Sequence, residues 1–178
     1  MFHSYIIIKP DGERFFNEIL CLLKKQFNIC KVLKIENFDK VAMPLYLDDA
    51  AIKRGNIPVI AGIAKIWKRD YSNSAYYVLL ENKTSMKSHS EMIDAVCAFK
   101  KKFRKEYLPP YGYIELKLRL EDISYKEYGY HFSEELFKKR AIVWNGDWVY
   151  ALQTNAIHSP DSVDSYIRET ICLRPFLK

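Results

Sequence analysis

Residues 4–12, SYIIIKPDG, set three consecutive isoleucines directly ahead of Lys9, Pro10, Asp11 and Gly12. β-Branched side chains favour an extended, buried strand, and Pro-Asp-Gly ends it in a tight turn. Downstream, Phe16, Ile19, Leu20, Leu23 and Phe27 recur at helical spacing, the apolar stripe of an amphipathic helix. A strand, a turn and a helix in such quick succession commit the chain to a layered architecture mixing α and β, because each apolar face must be covered by another element.

The remaining pattern extends that frame. ICKVLKIENF (29–38) alternates as a second strand and SAYYVLLEN (74–82) as a third. Met92, Val96, Phe99 and Phe103 mark a helix over 90–107, which LPPYG stops. YIELKLRLE (113–121) reads as an additional strand and WVYALQT (148–154) as the last one. Short helices are expected at 48–53, 61–67 and 133–140. Ser159 and Pro160 read as an N-cap and a first helical residue, with Val163, Tyr166, Ile167 and Ile171 on the inner face of the helix that follows. The order β-α-β, then β-α, then β-α predicts an α+β fold, a ferredoxin-like α/β sandwich with helices packed on an antiparallel sheet.

Composition narrows the function. With 178 residues, 49% hydrophobic and 28% charged, the chain suits a single globular domain with a real core. A net charge of +6 suits anionic partners such as nucleotides, and equally non-specific contact with nucleic acid. Cys21, Cys30, Cys97 and Cys172 form no C-x-x-C pair, which argues against a zinc ribbon or a thioredoxin-like site. Cys21 and Cys97 fall in helical apolar patterns and are expected to be buried, reduced thiols. No secretory leader or membrane-length apolar run is present, so a cytoplasmic setting with no membrane partner is expected.

His158 lies between an apolar strand-like run and a helix start, in NAIHSPDSVDSYIRE (155–169). Taken alone, it reads as readily as a packed core histidine. That segment resembles the active-site segment of the nucleoside diphosphate kinase family, N-x-x-H-G-S-D-S followed by a glutamate, with Asn155, His158, Asp161, Ser162 and Glu169 in register. IIIKPDG (6–12) resembles the same family's opening strand and turn. IPVIAGIAKIW (57–67) resembles its R-P-F-F-x-G segment, and WNGDW (144–148) its I-R-G-D-F. The similarity spans residues 1–178 as one nucleoside diphosphate kinase-like domain, with an insertion at about 105–141.

The resemblance implies a phosphotransferase. It would move the γ-phosphoryl of a nucleoside triphosphate through a phosphohistidine to a nucleoside diphosphate or related acceptor, with Mg²⁺ bound through the nucleotide phosphates. His158 is then the nucleophile, Glu169 the acceptor that fixes its ring, Lys9 a cation at the transferring phosphate, and Asn155 a contact to nucleotide sugar and phosphate. The family's oligomers imply a homo-oligomer. Several positions depart from the pattern. Asn145 replaces the phosphate-binding arginine, Val59 replaces the base-stacking phenylalanine, and Ala51 falls near the place of the base clamp's tyrosine. Ser159-Pro160 replaces Gly-Ser, removing or moving the hydroxyl that supports the histidine–glutamate pair. Two basic clusters, KKKFRK (100–105) and KKR (138–140), could supply the missing charge, with Arg104 and Arg140 as candidates. The alternative is a nucleotide-binding or assembly module that keeps the fold and has weakened catalysis. A nucleic acid ranks last among partners, since only charge and aromatics speak for it.

Overall fold

The computed structural model of the protein describes residues 1–42, 44–46, 73–107, 114–118, 142–144, 147–152 and 156–177. The isoleucine run forms β1 (His3–Ile8), all but its first residue buried. Pro10–Phe15 follow as a 3-10 turn and Phe16–Gln26 as helix α1. β2 is Phe27–Ile35, β3 is Ala75–Asn82, and α2 is the long helix His89–Tyr107. Three strands come next, β4 (Ile114–Leu118), β5 (Ile142–Trp144) and β6 (Asp147–Leu152). The chain then makes the two-residue β7 (Ile157–His158) and helix α3 (Val163–Leu173).

β7, not β6, completes the central sheet, whose order is β2-β3-β1-β7 with every pairing antiparallel. This is the open four-stranded sheet of a ferredoxin-like α+β fold. The segment expected as the last strand, β6, pairs instead with β4 and β5 in a separate three-stranded antiparallel sheet. Sequence alternation identified β6 as a strand but could not say which sheet it joins, because pairing is decided by tertiary partners. A strand of two residues, in turn, is too short to leave any periodicity.

Alternation along β1 divides the core in two. Ile6 and Ile8 join Val78, Leu80, Ile19, Leu23, Met92, Val96, Phe99 and Phe103 under α1 and α2. Tyr5 and Ile7 join Tyr77, Phe38, Val41, Leu45 and Leu173 on the opposite face. Each fully buried aliphatic side chain contributes about 1.5–3 kcal/mol, so both layers help hold the sheet.

Three readings on the helices need correction. α3 starts at Val163, capped by Ser162, whose hydroxyl accepts from the Ser165 N–H at 3.1 Å; Ser159 and Pro160 are buried before it. Ile167 and Ile171, expected inside, are 53% and 68% exposed, while Glu169 and Leu173 point inward. The helix is turned by what Glu169 bonds to, and the apolar stripe yields. On α1, Cys21 is exposed, sitting across the helix from the buried pair Ile19 and Leu23.

Candidate active site

β7 is held to the end of β1 through its own pairing, Ile7 with His158 and Ile8 with Ile157, and through a clasp built from the K-P-D-G turn. The Lys9 N–H donates to Ala156 O at 2.8 Å. The Ala156 N–H donates in return to Asp11 Oδ2 at 3.0 Å. Gly12 approaches so closely that a Cβ there would lie 2.3 Å from Ala156 O. Ala156 itself sits in the left-handed region, φ 52°, a conformation that a non-glycine residue holds only when its surroundings impose it. The two motifs at opposite ends of the chain are thus parts of one structural unit.

Helix α2 adds two cations to the same segment. Arg104 Nη2 donates to Ile157 O at 2.6 Å. Lys100 Nζ donates to Ser159 O at 3.0 Å and ion-pairs with Asp161. Backbone groups at 156, 157 and 159 are therefore gripped in turn by Lys9, Arg104 and Lys100, with His158 between them. Lys9 is 1% exposed, and burial, then the charges of Arg104 and Lys100, lower its pKa to about 7 against the pull of Asp11. Such a cluster concentrates positive potential on a desolvated ammonium, which favours an anion nearby. For Asp161, burial works to raise the carboxyl, but the hydrogen bond and charge of Lys100 outweigh it, and the pKa is lowered.

His158 Nε2 lies 2.8 Å from Glu169 Oε2, with both side chains largely buried. The Tyr5 hydroxyl donates to that same oxygen. A carboxylate accepting from a phenol and an imidazole assigns the proton to Nε2, leaving the Nδ1 lone pair free. Tyr5 is fully buried and packed between Tyr77 and Tyr166, ring centroids 5.1 and 6.1 Å away. Burial first and the Glu169 charge second raise its pKa well above the ordinary value, which keeps it a donor. The Tyr46 ring stands edge-on to His158 at 5.1 Å. Its phenol is likewise raised by burial and then by Glu169.

The structure thus brings together His158, Glu169, Lys9 and Arg104 of the expected site. Asn155, Arg140, Asn145, Val59 and Ala51 lie outside the described residues. Tyr5, Tyr46 and Asp11 were not named as site residues from sequence, and Lys100 entered only as part of the basic cluster 100–105. Lys100 had a readable signal, since it follows Val96 by four residues on the buried stripe of α2. Tyr5 had a weaker one, a hydroxyl on the inward side of an otherwise aliphatic strand.

Among solved structures, the chain is similar to the nucleoside diphosphate kinase of Aquifex aeolicus, with TM-score 0.52, 16% identity, and 97% of this chain and 94% of that one covered. It is also similar to the nucleoside-diphosphate kinase of Borrelia burgdorferi, solved as a transition state mimic with vanadate and ADP, at TM-score 0.50 and 18% identity, covering 96% and 84%. The fold is the one these kinases have. No protein-family model and no curated protein sequence matches the chain. At such identity the likeness to nucleoside diphosphate kinases is one of backbone architecture, and the chemistry rests on the side chains described above.

Proposed function

We propose that the protein is a histidine phosphotransferase that takes the γ-phosphoryl group of a nucleoside triphosphate onto His158 and passes it to a nucleoside diphosphate or related acceptor. The observation that carries this reading is the shared hydrogen bonding at Glu169 Oε2, which holds His158 through Nε2 and leaves Nδ1 as the attacking atom. In the first half-reaction Nδ1 donates its lone pair to the γ-phosphorus. The bond to the β–γ bridging oxygen breaks, and the diphosphate leaves with that electron pair. The Nε2 proton stays shared with Glu169, so the ring's developing positive charge faces a carboxylate. In the second half-reaction an acceptor oxygen attacks the phosphorus and the N–P bond breaks.

Lys9, with Lys100 and Arg104 near it, supplies charge for the phosphates, where Asn145 cannot. Tyr5 takes the supporting place of the family hydroxyl that Pro160 lacks. The Tyr46 ring restrains the imidazole from the side. Glu169 is engaged by Tyr5 and His158, and Asp161 by Lys100, so these carboxylates make no ready cage for a bare ion. Mg²⁺ fits as part of the bound nucleotide, where it would neutralise charge on the phosphates. The vanadate and ADP in the Borrelia enzyme support nucleotide phosphates as the ligand class.

The test is transfer of label from γ-labelled nucleoside triphosphates. Wild-type protein is expected to give an acid-labile, base-stable phosphoenzyme, and His158→Gln none. Wild-type protein that binds nucleotide yet takes up no label refutes the reading.

A further inference from the structure

Away from His158, three strands of the central sheet bring a different set of donors together. His3 on β1, Glu81 on β3 and Cys30 on β2 each offer a ligand atom, and the three atoms lie within 4.8 Å of one another. His3 and Glu81 face each other directly across the β1–β3 register, with His3 Nε2 3.4 Å from Glu81 Oε1. Cys30 reaches them through an irregularity in β2. Register with β3 runs from Ile29 opposite Leu80 to Lys31 opposite Leu79, so Cys30 is an extra residue in a bulge. Bulges re-aim side chains, and this one reverses the alternation of β2. Ile29 packs under the helices while Leu33 packs on the opposite layer.

We infer that His3, Cys30 and Glu81 form a binding site for a borderline divalent ion of the Zn²⁺ class. Imidazole, thiolate and carboxylate are all established zinc donors, and bond lengths near 2.0–2.3 Å put donors about 3.5 Å apart around a tetrahedral ion. The His3–Glu81 separation already meets that spacing, and Cys30 needs a shift of about 1 Å at most to match it. A harder ion such as Mg²⁺ does not take a thiolate. Three protein ligands leave a fourth position for water or an outside donor, and the exposed side chains of His3 and Cys30 give it access. A divalent cation shared by Cys30 and Glu81 would bind the thiolate form, releasing the thiol proton on coordination. The bound ion would tie β1, β2 and β3 together at the sheet end remote from β7, independently of phosphoryl transfer.

Titration of the full-length, reduced protein with Co²⁺ tests this. One equivalent should produce thiolate-to-cobalt charge-transfer absorption, which Zn²⁺ then abolishes by displacement. Cys30→Ser should remove the band, and His3→Ala and Glu81→Gln should each weaken Co²⁺ binding roughly tenfold or more. A wild-type titration without the band overturns the site. So does a Cys30→Ser protein that keeps it, since another thiol would then be the ligand.

Discussion

The two faces of the central sheet are built from the same strands and do different work. Under α1 and α2, Ile6 and Ile8 of β1 and Val78 and Leu80 of β3 pack into an apolar cluster with Leu23 and Phe103. On the other face the intervening residue Tyr5 sits within an equally buried layer, yet its hydroxyl reaches the Glu169–His158 pair. Burial on the first face yields stability. On the second it also strengthens and orients hydrogen bonds, because a low-dielectric setting makes each polar contact worth more. One residue of alternation separates a packing position from a positioning one.

That contrast can be broken from either side. The largest stability effect should follow Leu23→Ala on the apolar face, about 2–5 kcal/mol by chemical denaturation, with the rate of His158 labelling per folded molecule unchanged. A labelling defect in the folded fraction would show that the two faces are coupled. Tyr5→Phe should do the reverse. Losing a hydrogen bond to a charged group costs about 1.5–3 kcal/mol, slowing phosphoenzyme formation roughly ten- to a hundredfold. The ring nitrogen shifts of His158 should then report a mixture of tautomers. Adding Pro160→Ser to Tyr5→Phe should restore part of the rate by returning a hydroxyl near the pair. Unchanged tautomer and rate in Tyr5→Phe would reduce Tyr5 to packing.

Lys9 gives a smaller, pH-dependent effect. Its pKa in the folded protein, about 7, lies below the ordinary lysine value of 10.5, so between these values the unfolded chain binds the extra proton and stability rises with pH. An anion bound at Lys9 favours the ammonium and reverses that preference. Nucleotide binding at pH 8 should therefore take up a proton, with affinity falling by up to about tenfold per pH unit above 7. Calorimetry in buffers of different ionisation enthalpy measures the uptake, and Lys9→Met should abolish it. The smallest effect belongs to α3. Ile171→Ser should change stability by no more than about 0.5 kcal/mol, because the side chain is 68% exposed. A larger loss that depends on protein concentration would mean that this stripe is covered between copies in solution.

Much of the fold was legible in local pattern. The first strand and helix, the third strand, and the buried residues Met92, Val96, Phe99 and Phe103 follow from periodicity alone, since period and burial are local consequences of one apolar face. His158, Glu169 and Lys9 were picked out through the resemblance to nucleoside diphosphate kinases and Arg104 through its basic cluster, and only the structure shows Glu169 against His158. The phase of α3 was not legible. A helix with two competing stripes turns the one with the better partners inward, and Glu169, bonded to His158 and Tyr5, outweighed Ile167 and Ile171.

By itself, then, the sequence determined the layered α+β architecture, the histidine at a strand-to-helix junction and the turn that precedes α1. Only the tertiary structure decided that the turn clasps Ala156, and that β7 instead of β6 closes the sheet. It also decided that a tyrosine more than 160 residues away from Glu169 donates to that carboxylate. The division has a physical cause. Propensity and periodicity act between near neighbours in the chain, whereas a buried hydrogen bond is formed by whichever donor the packed sheet brings within reach.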